Sequence, residues 1–332
     1  MATIKRWHTF CYASQCLGAL LFIIAATTSG CGGGGGGGPV TSSTQLFAPN
    51  SSVNTVTSYP PKANGNRKPL KTIGGTNTNL QGPQAVSVDN QGLIYVANNN
   101  DNSIVVFQRG SKGDTTPISK IQGANTRLFN PQGVRVDSAG LIYAANAGGD
   151  TITIYAAGSD GDVDPIAIIG GPATGLKKPE DVAVDTTGNI YVANTAASSI
   201  TVYPPNSNGN SAFSRRIRGS DTRLRAPDAL AIDSAGTIYA ANGDGDCVTS
   251  YAPGADGNAP PVMLIGGSNT SIAAPGGIAL GKHQELFVSS SIGNAIVRFN
   301  INDAGDVPPQ SVISGSNTGL SVPFGIALGI GA

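Results

Sequence analysis

The stretch Pro131-Gln-Gly-Val-Arg-Val-Asp-Ser-Ala-Gly-Leu-Ile-Tyr-Ala-Ala-Asn146 decides the fold, because it holds two strand patterns around one tight turn and recurs along the chain. Valine, isoleucine and tyrosine favour strands, and aspartate followed by glycine favours the turn between them. The proline that opens the stretch returns every 48 residues, at Pro83, Pro131, Pro179, Pro227, Pro275 and Pro323. A fixed period of this length indicates a repeat architecture.

Other positions keep the same step of 48 residues. One aromatic set is Phe47, Tyr95, Tyr143, Tyr191, Tyr239 and Phe287, and a second is Tyr59, Phe107, Tyr155, Tyr203, Tyr251 and Phe299. In the unit that opens at Pro131, the composition predicts four strands, at residues 133–137, 141–146, 151–155 and 166–169. Four short strands in a repeat of about 40 to 50 residues are typical of one blade of a β-propeller.

The repeats also predict how the ring closes. Residues 45–332 number 288, which is six times 48. Residues 323–332 supply only an innermost strand, and the three strands that this last unit lacks are found in residues 45–82. We therefore predict an all-β, six-bladed β-propeller of six 48-residue, four-stranded blades, with the first blade closed by the C-terminal strand. Closure of this kind leaves no unpaired sheet edge at the seam.

The N-terminal residues have the pattern of an export signal. Lys5 and Arg6 precede an apolar run at residues 17–26, and small residues lead to Ser29-Gly30-Cys31. This ending resembles the lipobox of bacterial lipoproteins, which implies a signal peptide at 1–30, a lipid on Cys31 and a Gly-rich tether at 31–44. The expected location is the bacterial envelope, at the outer membrane or cell surface, with the lipid anchor in the membrane. An uncleaved anchor and plain secretion are the alternatives.

Charge and cysteine content narrow the function classes. Without Lys5 and Arg6, 18 basic residues face 20 acidic ones, so the net charge is 18 − 20 = −2. A chain without a basic surplus is not expected to bind nucleic acid. Only Cys247 remains once the signal is removed and Cys31 is lipidated, so no disulfide framework is expected. We expect a monomer.

The repeat resembles a known family. Pro-x-Gly-Val-x-Val-Asp-x-x-Gly-x-Ile-Tyr-Val-Ala-Asn, followed by Ser-Ile-x-Val and an aromatic residue, is similar to the NHL repeat and is clearest in residues 82–107, 131–155 and 179–203. The resemblance implies a six-bladed propeller. It does not imply one function, because the family includes ligand-binding, protein-binding and enzymatic members.

In a propeller the innermost strands line a central channel, and the residues after the repeat prolines begin those strands. They are Gln84, Gln132, Glu180, Asp228, Gly276 and Phe324. The first four offer polar groups at the channel mouth, and we add Arg135 to these candidates because its equivalents in the other repeats are small. Arg135 must reach the channel or pair with Glu180 or Asp181, since an unpaired buried charge is costly.

Gluconolactonase-type propellers carry metal ligands at the same start-of-strand position, and the segment around Asp228 resembles theirs. That resemblance implies a Ca²⁺ or Mg²⁺ site at Glu180 and Asp228, whose oxygen ligands suit these ions. Gln84 and Gln132 stand where the resemblance would place asparagine. The alternative interpretation is a set of hydrogen-bonding residues at a wet channel mouth. The Gly-Asp and Gly-Asn pairs, such as Gly161-Asp162, recur in all six blades and are expected to be architectural residues on the opposite face.

No catalytic constellation is apparent. His283 is the only histidine after the signal, in a predicted turn away from the mouth, so Ser-His and Cys-His mechanisms lack their base. A propeller lyase of the streptogramin-inactivating kind would need a histidine at the mouth. The sequence favours a non-catalytic, membrane-anchored binding or scaffold protein whose ligand is a protein, a peptide or a small molecule. The alternative is a metal-dependent, gluconolactonase-like hydrolase.

Overall fold

The computed structural model describes residues 43–331, which form six four-stranded antiparallel sheets. The predicted signal peptide, the lipidation site at Cys31 and the tether up to residue 42 lie outside the described residues. Within residues 43–331, no helix is long and apolar enough to cross a membrane. The prediction of a six-bladed propeller is confirmed, including a first blade that is completed by the C-terminal strand.

The strands run in chain order from the channel outwards in blades 2 to 6. Blade 1 has β1 (Thr44–Asn50), β2 (Thr55–Tyr59), β3 (Lys71–Gly74) and, innermost, β24 (Ala327–Ile330). Blade 2 has β4 (Pro83–Val88), β5 (Ile94–Asn98), β6 (Ser103–Phe107) and β7 (Ser119–Ile121). Blade 3 has β8 (Pro131–Val136), β9 (Ile142–Asn146), β10 (Thr151–Tyr155) and β11 (Ala167–Gly170).

Blade 4 has β12 (Pro179–Val184), β13 (Ile190–Asn194), β14 (Ser199–Tyr203) and β15 (Arg215–Ile217). Blade 5 has β16 (Pro227–Ile232), β17 (Ile238–Asn242), β18 (Cys247–Tyr251) and β19 (Met263–Gly266). Blade 6 has β20 (Pro275–Leu280), β21 (Glu285–Ser290), β22 (Ala295–Asn300) and β23 (Ser311–Ile313). Single 3₁₀ turns span Thr76–Thr78, Thr195–Ala197, Ser220–Thr222 and Gly243–Gly245.

The apolar core is divided among the contacts between neighbouring blades. The second strands are buried on both faces, as in β5 and β9, so their side chains pack against the blades on either side. The described residues form six buried clusters, one at each junction between adjacent blades. One of them joins Leu46 and Tyr59 of blade 1 to Phe287 and Ile296 of blade 6. The seam therefore has the same kind of core as the other junctions.

Polar contacts also join each blade to the one before it. The long connection in blade 3 between β10 and β11 returns to the end of blade 2, where Asp162 accepts hydrogen bonds from the Asn125 backbone (2.7 Å) and side chain (3.2 Å). The equivalent contact joins blade 1 to blade 6 at the seam of the ring, where Asn66 accepts from the Asn317 backbone N–H at 2.7 Å. These residues are therefore architectural, as their recurrence in every blade predicts. Their loops fold back along the outer strand of the neighbouring blade.

A second polar contact crosses four of the junctions. Tyr155 donates to the Thr126 carbonyl of the preceding blade at 2.5 Å and lies close to Thr153 of its own blade. Tyr59, Tyr203 and Tyr251 make the equivalent bond, to Thr318, Thr174 and Thr222. Blades 2 and 6 have Phe107 and Phe299 at this position, and a valine replaces the threonine two residues earlier. Within one chain, the polar pair and the apolar pair therefore occur as alternatives at the same site.

Candidate functional site

A β-bulge places the predicted mouth residues. In blade 4, Pro179 pairs with Asn194 and Asp181 pairs with Ala193, so that Glu180 is left out of the ladder. Blades 2, 3, 5 and 6 have the same shift after the opening proline, which leaves out Gln84, Gln132, Asp228 and Gly276. Proline has no N–H to give to the ladder, and bulges re-aim side chains. The bulge thus places one residue from each of blades 2 to 6 at the channel mouth, and in all but blade 6, which has Gly276, that residue has a side chain.

These side chains line a cavity of about 380 Å³, which we call the mouth cavity. Its lining residues are Gln84, Gln132, Lys178, Glu180, Thr195, Ala226, Asp228, Asp244 and Phe324. The structure brings together the four polar residues that the sequence predicted. It adds Lys178, Thr195 and Asp244, which the prediction did not include. The lining carries three carboxylates and one ammonium group, so the mouth cavity is predominantly acidic.

Asp228 is the most perturbed acid of the mouth cavity. Burial and the neighbouring Glu180 carboxylate raise its pKa to about 7, against the opposing effects of a hydrogen bond from Thr195 and the charge of Lys178. The Thr195 hydroxyl lies 2.8 Å from the Pro227 carbonyl oxygen and 3.1 Å from Asp228 Oδ1, so these two acceptors share its single hydrogen. A Cβ atom at Gly243 would lie 2.1 Å from Asp228 Oδ2, so a larger residue there would displace the carboxylate. Asp228 is therefore held in place and can change its charge near neutral pH.

Glu180 already has a cationic partner. Lys178 Nζ lies 2.9 Å from Glu180 Oε1, and this hydrogen bond, with the Glu180 charge, raises the pKa of Lys178. The Lys178 side chain is about half exposed (54%), whereas that of Glu180 is largely covered (13%). The Lys178 ammonium group thus lies on the solvent side of Glu180, and breaking this ion pair costs little free energy.

The Phe324 side chain closes the inner end of the mouth cavity. Phe324 lies against Gly276, where a Cβ atom would be 2.5 Å from its ring. Below it the channel narrows to a space of only about 10 Å³, lined in part by Gln84, Asp181 and Phe324. The Gln84 Oε1 atom is buried and has no hydrogen-bond partner among the described residues. An unsatisfied buried acceptor favours a ligand that brings a donor.

Arg135, predicted as a channel-mouth residue, is not among the residues that line the mouth cavity. It lines a second cavity of about 220 Å³ near the ends of the innermost strands, beyond the narrow part of the channel. The 48-residue step fixed its place along the strand, and that place is closer to the far end. The expected ion pair with Glu180 or Asp181 does not form, since the ion pairs of the described residues do not include Arg135.

The donor set at the mouth does not fit a calcium or magnesium ion well. Ca²⁺ takes six to eight oxygen ligands, and Mg²⁺ takes six in near-ideal octahedral geometry, usually including one or two carboxylates and several waters. In residues 43–331 no group of three or more His, Cys, Asp or Glu residues is placed to hold a metal. The predicted ligand Glu180 instead contacts Lys178. His283 lies in a cavity on the opposite face, with Leu280 and Ile330.

Comparisons with known proteins agree with this architecture. The family model of the NHL repeat matches residues 80–107 and 176–203, so the chain contains NHL repeats. No curated protein matches the sequence. Many solved structures share the fold.

Three of these structures illustrate the range of proteins that share the fold. A protein of unknown function from Bacteroides caccae is 12% identical and has a TM-score of 0.63, with 86% of this chain and 99% of that chain covered. A chain of a nidogen/laminin complex is 14% identical with a TM-score of 0.61, covering 86% and 98%. Virginiamycin B lyase from Staphylococcus aureus is 14% identical with a TM-score of 0.55, covering 80% and 81%. Identities this low support the fold and not a shared activity.

Proposed function

We propose that this NHL-repeat propeller is a non-catalytic binding protein of the bacterial envelope, and that its ligand occupies the mouth cavity with a cationic group. The observation that carries the proposal is the lining of that cavity. Acidic side chains converge there beside Gln84, whose buried Oε1 atom has no hydrogen-bond partner among the described residues. A primary ammonium group has three donors and one positive charge, which matches these acceptors.

The contacts suggest how such a ligand would be held. Its ammonium group would take the place of Lys178 beside Glu180 and also reach Asp228 and the Gln84 oxygen. Phe324 offers an apolar surface and an aromatic ring, which attracts cations. A ligand with an amine next to an apolar or aromatic part therefore fits best, such as a basic side chain of a peptide or a small amine.

Calorimetry with small amines tests this proposal. Benzylamine, cadaverine, lysine methyl ester and spermidine serve as probes at pH 8, and benzyl alcohol serves as the uncharged counterpart of benzylamine. At least one amine is expected to bind saturably, and Asp228→Asn should weaken it by about tenfold or more, since hydrogen bonds to charged groups contribute about 1.5–3 kcal/mol. Asp164→Asn is the matched control, because Asp164 is exposed and outside the cavity. Failure of all four amines would contradict the proposal, as would an equal loss in both variants.

The metal-dependent hydrolase is tested separately by thermal unfolding. Saturating Ca²⁺ or Mg²⁺ stabilises a protein that binds it specifically. We expect neither ion to raise the melting temperature relative to a chelator. A rise that Asp228→Asn abolishes would instead favour the hydrolase.

The proposed anchor at Cys31 rests on the sequence pattern around it. In cells grown with a labelled fatty acid, the intact chain is expected to carry the label and to sediment with membranes, and Cys31→Ser should lose both properties. A variant that stays labelled would refute lipidation at this residue. The fold of the propeller does not depend on this result.

Several similar solved structures are lyases, but the likeness to them is at the level of the fold and does not support a lyase activity here. His283, the only histidine among residues 43–331, lies on the face opposite the mouth cavity.

A further inference from the structure

The second cavity of the channel is built around one charged residue. One position from each innermost strand forms a ring there, and its members are Ser87, Arg135, Ala183, Ala231, Ala279 and Ala327. A second ring of apolar residues follows at Val88, Val136, Val184, Ile232, Leu280 and Leu328. Five small side chains leave a space of about 220 Å³ around a single guanidinium group. We call this space the lower cavity.

The protein satisfies little of the hydrogen-bonding capacity of Arg135. Its Nε and Nη2 atoms lie 3.5 Å from the carbonyl oxygens of Val182 and Leu230, at the outer limit of a hydrogen bond. No carboxylate among the described residues is within ion-pairing distance of it. A guanidinium group has five N–H donors in a planar fork. Most of these donors are left without a close protein acceptor.

The nearest acidic group is used elsewhere. Asp181 lines the narrow part of the channel, and its oxygens accept from the backbone N–H groups of Val182 and Leu230, both at 2.9 Å. Burial raises the pKa of Asp181, and the charge of Arg135 opposes this only in part. The mouth acids Glu180 and Asp228 line the narrow part of the channel but not the lower cavity. The charge of Arg135 therefore has no directly contacting counter-ion.

We propose that the lower cavity is a binding site for a small carboxylate, whose head group pairs with the Arg135 guanidinium. The planar fork of arginine matches a carboxylate with two parallel hydrogen bonds. The apolar ring suits a short hydrocarbon tail. The space is equivalent to about seven water molecules at ~30 Å³ each, which limits the ligand to a few carbon atoms. This site is separate from the mouth cavity, and the argument does not depend on the proposed amine ligand.

The alternative role of Arg135 is a structural brace between blades 4 and 5, and the two roles predict opposite results for one variant. Arg135→Ala gives blade 3 the residue that four other blades have at this position. If Arg135 is a binding residue, the variant folds and its melting temperature without added anion is not lowered, because a poorly paired cation has been removed. If Arg135 is a brace, the melting temperature falls.

Calorimetry with butyrate tests the site directly, using the purified full chain in a low-chloride buffer. Butyrate is expected to bind saturably, and neutral butyramide is expected not to bind. Arg135→Gln should weaken butyrate at least tenfold, whereas Arg218→Gln should not, because Arg218 is exposed and outside the lower cavity. Phosphate and sulfate are measured alongside. Binding of these ions without butyrate would overturn the carboxylate assignment. Unchanged butyrate affinity in Arg135→Gln, absence of saturable binding, or a destabilised Arg135→Ala variant would overturn the proposal.

Discussion

Replacement of Asp228 by asparagine should make the protein more stable at pH 8 while weakening ligand binding at the mouth. The change is nearly isosteric, and the asparagine oxygen can still accept the hydrogen bond from Thr195. The new amide group carries no charge, so the repulsion between the Asp228 and Glu180 carboxylates is removed. A site residue whose removal stabilises the fold is one that the fold does not require.

The magnitude follows from the pKa of Asp228, which is raised from 3.8 to about 7 in the folded protein. One pKa unit is worth about 1.4 kcal/mol, so ionising this residue costs the folded state up to about 4 kcal/mol, and about 2–4 kcal/mol after allowing for partial solvent screening. An acid whose pKa is raised on folding binds its proton more tightly in the folded state. The penalty is therefore absent below about pH 4, grows between about pH 4 and pH 7, and is nearly complete at pH 8.

Urea unfolding at pH 8 and at pH 4 measures this difference. The free energy of unfolding of Asp228→Asn should exceed that of the unmodified protein by about 2–4 kcal/mol at pH 8 and match it at pH 4. Asp164→Asn should give no gain at either pH. No gain at pH 8, or the same gain at both pH values, would refute the argument that desolvation and Glu180 raise the pKa of Asp228.

Three further predictions concern the ring itself. Tyr155→Phe should lower the free energy of unfolding by about 1–2 kcal/mol, because the buried Thr126 carbonyl loses its donor. Urea unfolding measures this loss, and an unchanged free energy would mean that the bond does not stabilise the junction. Asp162→Ala should lower the melting temperature more than Asp162→Asn, since blades 1, 4 and 5 use asparagine to accept the same hydrogen bond from the preceding blade. Equal effects of the two substitutions would mean that this hydrogen bond contributes nothing to stability. Deleting residues 327–332 removes the innermost strand of blade 1, so gel filtration and calorimetry should reveal association or loss of cooperative unfolding, whereas a stable monomer would contradict closure by β24.

The architecture could be predicted from the sequence because it depends on periodic positions. The 48-residue step places the prolines and the aromatic residues in every blade and the turn aspartates in four blades, and simple arithmetic joins the two ends. In blade 3, the predicted strands differ from the observed ones by at most two residues. The largest difference is at the start of β8, where Pro131 pairs with Asn146 ahead of the bulge. Strand propensity does not reveal such an irregularity.

The candidate site could be predicted only in part. The residues after the prolines form a set because one rule positions them all. Lys178 and Asp244 follow no such rule: the first precedes a repeat proline, and the second lies in the 3₁₀ turn of blade 5. Lys178 and Asp244 reach the mouth cavity only because loops of neighbouring blades approach each other there. Arg135 shows a further limit, because the repeat gives a position along the strand and not the cavity that the side chain enters.

The pH dependence of cation binding tests the central claim most directly, namely that the mouth cavity is an acidic ligand site controlled by Asp228. Benzyltrimethylammonium is suitable because its charge does not change with pH. Calorimetry should show its affinity rising by up to about tenfold between pH 6 and pH 8, as Asp228 ionises around its pKa of about 7. The rise should be absent in Asp228→Asn. An affinity that does not change with pH, or that rises equally in this variant, would contradict the claim.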